Sequence, residues 1–281
     1  MSDVRRMWIL TIVAVVCTLA AGSVRAADVF PDKNLETVVR EVLKRKQIDK
    51  PEIEEADLKT IYFLEAPQRG IKDLTGLEKC TNLVSLSLPG NEIESVQPLA
   101  GLKNIQTLTL SGNKIADLAP LEALANLQLL DIAGNQVEAI DAVANFANLR
   151  TFWASGNKIA SLEPLAKLSK LQSLDLDGNQ VENLSPLAEL RWLSSLRLRN
   201  NKVSELSPLA GLRDLKFTFL NGNPLTDLGP LVEMARKDIE GEQRFAPYWN
   251  VFVEVDGLSD GARAQVEELT ALGVRVNPER T

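Results

Sequence analysis

The sequence predicts an α/β solenoid with one curved parallel β-sheet on the concave face and short helical or 3-10 turns on the convex face. Three observations predict this architecture: a repeat of 22 residues, an asparagine at one fixed position of every repeat, and a proline in the second half of most repeats. A fixed period of this length is typical of proteins in which each unit buries its apolar face against the next copy of itself.

The asparagines that set the period occupy one column of the seven aligned units, which run from residue 83 to 236. An asparagine side chain has two N–H donors and one acceptor, so a buried copy can satisfy backbone groups where the chain turns out of a sheet. We therefore predict a structural ladder rather than a catalytic array. Its members are Asn91, Asn113, Asn135, Asn157, Asn179, Asn201 and Asn223.

The other fixed positions of a unit specify a strand, a tight turn and a short helical turn. Leu171, Leu174 and Leu176 illustrate the strand, because side chains two residues apart point to the same side of a sheet. A glycine before the asparagine permits the tight turn, and Asn200 replaces it once. Proline pre-sets the backbone for the first position of a helical turn. The proline column is Pro98, Pro120, Pro164, Pro186, Pro208 and Pro230.

The repeated pattern L-x-x-L-x-L-x-x-N-x-[ILV] resembles that of leucine-rich repeats. The 22-residue length and the P-L-x-x-L second half resemble the internalin-like class of bacterial proteins. The resemblance covers residues 28 to 236 and implies a leucine-rich repeat solenoid that recognises a partner. It does not identify that partner, since one fold hosts many functions.

A solenoid leaves two apolar ends that must be covered. Before the repeats, Val38, Val39, Val42 and Leu43 have helical spacing, and Asp32 is placed to cap that helix. The segment also resembles the internalin-type amino-terminal cap. The division that we predict is a signal peptide at 1–26, a helical cap at 27–60, a repeat domain at 61–236 with a degenerate first copy at 61–82, and a carboxy-terminal cap at 237–281.

The period fails after Arg236, and we interpret residues 237–247 as an insertion. Residues 248–256 then read as a divergent last strand, because Tyr248 and Val251 preserve the spacing of Leu215 and Thr218. The stretch 260–272 has the pattern of an amphipathic capping helix, and residues 274–276 are a candidate final strand.

The first 26 residues have the pattern of a secretory signal peptide. Arg5 and Arg6 precede an apolar run, and Val24-Arg25-Ala26 is a small-residue cleavage site. The apolar run is short for a membrane span. We expect the protein to be exported to the periplasm or secreted, to be cleaved after Ala26, and to keep no stable membrane span.

The amino-acid composition limits the kinds of catalysis and binding that the protein could perform. The chain has no histidine and a formal net charge of −7. Histidine-assisted nucleophiles and imidazole metal ligands are therefore excluded, and a surface this acidic disfavours nucleic acid. We expect no cofactor and no metal. The remaining route to an enzyme is a carboxylate pair, Asp131 with Asp175, which would suit a hydrolase. Cys80 falls in a column of buried apolar residues and is expected to be an inert core side chain.

The concave face is the candidate binding surface. Its outward columns are small and polar in the first two repeats and gain aromatic and charged residues from the third onward. Exposed aromatics beside charges are typical of interaction hot spots. Two alternatives to a binding role stay open. The Asp–Arg pairs could serve only to stabilise the sheet, and residues 237–247 could cover the phenylalanines. The candidate residues are Leu129, Asp131, Trp153, Asp175, Asp177, Arg197, Arg199, Phe217 and Phe219.

The function that the sequence favours is that of a non-catalytic, exported protein-binding module, expected to be a monomer. An envelope-associated structural or glycan-binding protein, which recognises glycan or peptidoglycan through Trp153 and its flanking carboxylates, is the alternative. A carboxylate-based hydrolase is a distant third.

The signal peptide generates the first testable prediction. The exported protein should begin at Ala27, and intact mass or amino-terminal sequencing of that protein measures this directly. Recovery of residues 1–26 on a membrane-bound form would instead indicate an uncleaved anchor.

Overall fold

The computed structural model of the protein describes residues 29–256 and 258–278, so the predicted signal peptide lies outside the described residues. Ten parallel strands form one sheet in which spatial order follows chain order. This confirms the predicted α/β solenoid. The strands are β1 Phe63–Glu65, β2 Ser85–Ser87, β3 Thr107–Thr109, β4 Leu129–Asp131, β5 Thr151–Trp153, β6 Ser173–Asp175, β7 Ser195–Arg197, β8 Phe217–Phe219, β9 Asn250–Phe252 and β10 Arg275–Val276.

Neighbouring strands pair in register, so equivalent positions of successive repeats lie side by side. Leu86 pairs with Leu108, and Asp131 pairs with Trp153. In β2 to β7 the central residue of each strand is buried, while the first and third residues face the concave side. The sheet therefore converts sequence columns into rows on the surface.

The convex side consists mostly of short 3-10 turns, as the proline column predicts. Five of the turns within the repeats carry proline at their first positions. The third repeat has Ala142 instead, and its turn is five residues long. The turns are Leu77–Lys79, Gln97–Leu99, Ala119–Leu121, Asp141–Asn145, Glu163–Leu165, Ser185–Leu187, Ser207–Gly211 and Ala246–Tyr248.

The core is one continuous apolar cluster that extends from Val29 to Val274. Leu171, Leu174 and Leu176 are all fully buried, and so is Cys80. Burial raises the pKa of the Cys80 thiol to about 12, so the reactive thiolate is suppressed near neutral pH. This agrees with an inert core cysteine.

Each ladder asparagine joins two repeats through its side-chain amide. Asn157 accepts a hydrogen bond from the backbone N–H of Val137 at 2.9 Å. It donates to the carbonyl oxygens of Ile132 at 2.9 Å and Ala154 at 3.0 Å. The other six members make the same three contacts. Backbone groups that leave the sheet thus find partners inside the protein.

The turn before the ladder needs a left-handed residue. Gly178 has φ +66°, and Asn200 takes the same conformation at φ 53°. Asparagine is among the few residues with a side chain that visit this region readily, which explains why it replaces glycine there.

A second asparagine column, which the sequence analysis missed, lies just before the strands. Asn104 donates to the carbonyl of Thr81 at 2.9 Å, and Asn126 donates to that of Lys103 at 2.8 Å. Asn82 and Asn148 make the equivalent bond. The column ends there, because the equivalent position is Lys170 in the fourth repeat and Trp192 in the fifth.

The amino-terminal end is covered by α1 (Lys33–Arg45) and the short α2 (Glu55–Leu58). Asp32 caps α1 by accepting from the backbone N–H groups of Asn34 and Leu35, as predicted. The same carboxylate accepts from Lys72 and Asp73 in the degenerate repeat. Burial alone would raise the pKa of Asp32, but these four N–H donors hold it below the ordinary value.

The carboxy-terminal end differs from the prediction in two details. The helix α3 (Gly229–Glu240) begins inside the seventh repeat and extends into the segment that we interpreted as an insertion. Val251 pairs with Thr218 as expected. Tyr248, however, is 62% exposed, and Trp249 is the buried residue, because its indole N–H donates to the Thr218 hydroxyl at 2.8 Å.

The last helix, α4 (Asp260–Ala271), packs on α3 and is followed by β10. Beyond β10, the Asn277 side chain donates to the Val253 carbonyl and accepts from its N–H, so a further asparagine closes this end. No helix within residues 29–256 and 258–278 has the length and hydropathy needed to cross a membrane. The division into caps and repeat domain remains a prediction.

The ladder generates a stability prediction. Asn157→Ala should lower the free energy of unfolding substantially, since each stranded buried backbone group costs about 1–3 kcal/mol. Lys158→Ala is the matched control: its ammonium lies 3.3 Å from Glu138 in an exposed ion pair, whose loss should change stability by about 0.5 kcal/mol or less. Urea unfolding measures both, and equal shifts would contradict the ladder.

Candidate functional site

The concave face changes character along the solenoid. Its first two complete repeats present Ser85, Ser87, Thr107 and Thr109 from β2 and β3. From β4 onward the same two columns carry larger apolar, aromatic and charged side chains. The candidate site therefore lies on the part of the sheet formed by β4 to β9.

Trp153 is the largest exposed side chain at the β4 end of this region. It is 40% exposed, and its strand neighbours in the same row are Asp131 and Asp175. The indole N–H donates to the Ser173 hydroxyl at 3.3 Å, which ties the ring to the next strand. Leu129 is half-buried on the strand before it. An apolar ring is thus held on a rigid sheet.

Asp131 presents less surface than the sequence analysis assumed. It is only 8% exposed, and its carboxylate accepts the backbone N–H of Ala133 at 3.0 Å. Asp175 makes the same local bond to the N–H of Asp177. Such bonds from an aspartate to the backbone two residues on stabilise the chain as it leaves a strand. They give both residues a structural role in addition to any contact.

The aspartates and arginines of β6, β7 and their following residues form one network. Arg197 contacts the Asp175 carboxylate at 3.1 Å and that of Asp177 at 3.2 Å. The Arg199 guanidinium contacts Asp177 at 2.9 Å, and its backbone N–H donates to the same carboxylate at 2.7 Å. The network crosses between neighbouring repeats and differs from two isolated pairs, because Asp177 is shared by both arginines.

Burial raises the pKa of both Asp175 and Asp177 above the ordinary aspartate value. The nearby Arg197 guanidinium only partly offsets this effect for each carboxyl. The network therefore lies in a region that water screens poorly, where charged contacts are stronger than on an open surface.

Phe219 links the charged network to the carboxy-terminal end. The guanidinium carbons of Arg197 and Arg199 lie 4.7 and 4.8 Å from the centre of its ring, within the range of cation–π contacts. Phe252 of β9 stacks on Phe219 with ring centres 4.4 Å apart and planes within 4°. The sequence analysis missed Phe252, although the spacing that aligned Val251 with Thr218 also puts it in the row of Phe219.

The structure answers the question of whether residues 237–247 cover the phenylalanines. Phe217 is 45% exposed, and Phe219 is partly covered by Phe252 and the two arginines. The helix α3 packs instead on the convex turn of the sixth repeat. Phe217 therefore remains accessible on the concave face.

Comparisons with known protein families and with solved structures both find leucine-rich repeat proteins. The family model of leucine-rich repeats, in two copies, matches residues 103–145 and 147–189. The crystal structure of internalin C2 from Listeria monocytogenes is 33% identical, with a TM-score of 0.71, and the match covers 75% of this chain and 92% of that one. The chain belongs to the internalin-like leucine-rich repeat proteins. A search of curated protein sequences finds no match.

Two further solved structures share the fold. A leucine-rich repeat protein of Leptospira interrogans is 22% identical with a TM-score of 0.69, over 79% of this chain and 56% of that one. The ectodomain of the plant receptor kinase GASSHO1/SCHENGEN3 from Arabidopsis thaliana is 26% identical with a TM-score of 0.52, over 57% and 21%. The latter was solved in complex with Casparian strip integrity factor 2. The leucine-rich repeat fold is a scaffold for protein interactions, built on an extended concave surface.

The shifted carboxyls generate a titration prediction. The pKa of Asp32 should lie below the ordinary aspartate value of about 3.9. The pKa values of Asp175 and Asp177 should lie above it. Ionised Asp175 and Asp177 thus oppose folding at neutral pH, and this cost disappears as the pH falls below about 3.9. The stabilisation from Asp32 has the opposite sign and is lost as the pH falls through its folded-state pKa.

Carbon-detected NMR of the carboxyl groups measures the three midpoints. Asp177→Asn is the assignment control, because it removes one of the two high midpoints. A midpoint for Asp32 at or above those of Asp175 and Asp177 would contradict the hydrogen-bond and burial argument.

Proposed function

We propose that this internalin-like protein is an exported, non-catalytic binding module that recognises a protein partner with the concave patch. The concave patch is the set Leu129, Asp131, Trp153, Asp175, Asp177, Arg197, Arg199, Phe217 and Phe219. The membership in a family of interaction scaffolds supports the general role. The choice of the concave face and of these residues rests on the aromatic side chains that are exposed there.

The observation that carries the proposal is the exposure of Trp153 and Phe217 on the same face of the sheet. They are 40% and 45% exposed, on strands three steps apart, which corresponds to about 14 Å at the usual strand spacing. Large aromatic side chains exposed to water favour burial by a partner, and rigid aromatics are the commonest hot-spot anchors.

The charged residues between these two aromatics support a role in specificity. Asp175, Asp177, Arg197 and Arg199 already satisfy one another, so the region carries little net charge and is held in one geometry. Preorganised charges cost little ordering entropy on binding and reject partners that place the wrong charge opposite them. Asp131, being nearly buried, would act mainly by supporting the chain beside Trp153.

Export and a monomeric state complete the proposal. The signal-peptide pattern of residues 1–26 supports passage to the periplasm or the outside. A solenoid whose two ends are covered by α1 and by α4 with β10 has less reason to associate through its sheet edges.

One observation favours a second candidate function, the binding of envelope glycan. Trp153 lies between two carboxylates in its row, and an aromatic ring beside hydrogen-bond acceptors is a surface on which a sugar ring can stack. The two candidates differ in the partner that a Trp153 variant would lose: a protein in one case, a glycan or peptidoglycan in the other.

The concave patch generates a binding prediction. Trp153→Ala should weaken the protein partner at least tenfold, about 1.4 kcal/mol, because it removes a central aromatic anchor. It should leave the melting temperature nearly unchanged, since the indole lies outside the core. Capture of the partner from the native organism's envelope fraction, followed by calorimetry with the purified partner, measures the loss.

Two kinds of control define the surface. Phe63→Ala removes an aromatic that is more exposed, at 66%, from β1, four strands away on the same face, and should not change affinity. Glu163→Ala and Lys167→Ala alter the convex side and should also leave binding intact. If the convex changes abolish binding while Trp153→Ala has no effect, the proposed surface is on the wrong side of the solenoid.

A further inference from the structure

A groove of about 430 Å³ lies on the flank of the solenoid, where the convex turns of the fifth and sixth repeats lead back toward the sheet. Trp192 and Arg213 line it, and Arg244 from the segment after α3 contributes a further part of its lining. The volume is within the range of small-ligand pockets, about 300–1,000 Å³. The groove is separate from the concave patch, with which it shares no residue.

Trp192 departs from the structural column in which it lies. In four earlier copies this position holds an asparagine that bonds the preceding turn. Trp192 instead is 61% exposed. Trp153 and Trp249 donate their indole N–H to Ser173 and Thr218, whereas no acceptor for Trp192 is present among the described residues. The ring face and its donor are both available to a ligand.

The carboxylates along the groove are already engaged. Glu189 pairs with Arg191 at 3.0 Å, and Asp214 pairs with Arg244 at 2.9 Å. Arg213, by contrast, forms no ion pair within the part of the chain that the structure describes. An unpaired guanidinium beside an exposed indole favours an anion, and its planar fork matches a carboxylate with two hydrogen bonds.

An adjoining cavity extends the same cationic character. It shares Arg213 and Arg244 with the groove and adds Lys237, which also has no ion pair among the described residues. Of the two acids on its wall, Asp238 accepts three backbone N–H bonds, from Arg244, Phe245 and Ala246, and Glu242 pairs with Arg244 at 3.7 Å. Two cationic donors are therefore left for a ligand in a chain whose net charge is −7.

The groove offers no strand edge to which an extended peptide could be added, because none of the residues that line it belongs to a strand. Peptide segments added to a protein are commonly held by main-chain hydrogen bonds. A ring with an attached carboxylate needs only an aromatic face and a guanidinium, which are the groups this groove supplies.

We infer that the flank groove binds an acidic saccharide, with a sugar ring stacked on Trp192 and a uronate carboxylate held by Arg213. Lys237 contacts a second acidic unit along the adjoining cavity. The ion pair of Arg244 with Asp214 fixes the segment after α3 against the groove, which gives the extra residues at 237–247 a role in forming the site.

The test uses the full exported chain and a trimer of galacturonic acid, with a neutral glucose trimer as the matched ligand. Calorimetry should give binding of the acidic trimer that is at least tenfold tighter than that of the neutral one and weakens with added salt. Trp192→Ala and Arg213→Gln should each weaken the acidic trimer at least tenfold. Arg150→Gln, which removes an exposed guanidinium that lines neither the groove nor the adjoining cavity, and Trp153→Ala should change it less than twofold.

Melting curves show whether each variant is folded, and all four positions are exposed, so the melting temperatures should match. The inference is overturned if neither trimer binds at millimolar concentration, if both bind equally, or if Arg213→Gln leaves the acidic trimer unaffected. It is also overturned if a tetraglutamate peptide binds the groove more tightly than the acidic trimer. Loss of the trimer in Trp153→Ala but not in Trp192→Ala would move the saccharide to the concave patch.

Discussion

The hydrogen bonds of the ladder amides are the constraint on which the rest of the molecule depends. Each side chain bonds backbone groups of its own repeat and of the one before, as Asn157 does with Ala154 and Ile132. One amide can reach both only if the repeats keep the same length and register. An extra residue between two ladder positions would separate the amide from one set of partners and leave buried backbone groups unpaired.

That constraint also shapes the surface. Because register is fixed, residues one repeat apart become neighbours, and a ring such as Trp153 can be placed beside chosen partners without altering the core. The Arg197 and Arg199 contacts to Asp177 depend on the same alignment. The concave columns are free to vary in chemistry because the inward columns and the ladder carry the stability. Function can therefore differ between such proteins while the architecture stays the same.

The period predicted the strands, the turns and the sheet, because each of these repeats seven times in the sequence. Structural features that occur only once in the chain were harder to predict. Trp249 and not Tyr248 is buried, and its indole N–H bonds the Thr218 hydroxyl, a contact that the repeat pattern does not contain. The column pattern does not reveal the burial of Asp131, which lies beside Trp153 on the neighbouring strand. The stack of Phe252 on Phe219 and the groove at Trp192 join segments that are distant in sequence, so no local pattern indicates them.

The strictly sequential order of the ten strands has a mechanical consequence. Each repeat touches only the one before and the one after, so tension along the axis is carried by the interfaces in series, and the weakest one opens first. A partner bound across β5 to β8 would contact four consecutive strands and hold the three interfaces between them together. Stretching the protein would then work directly against the bound partner, and the occupied middle of the array would be its stiffest part.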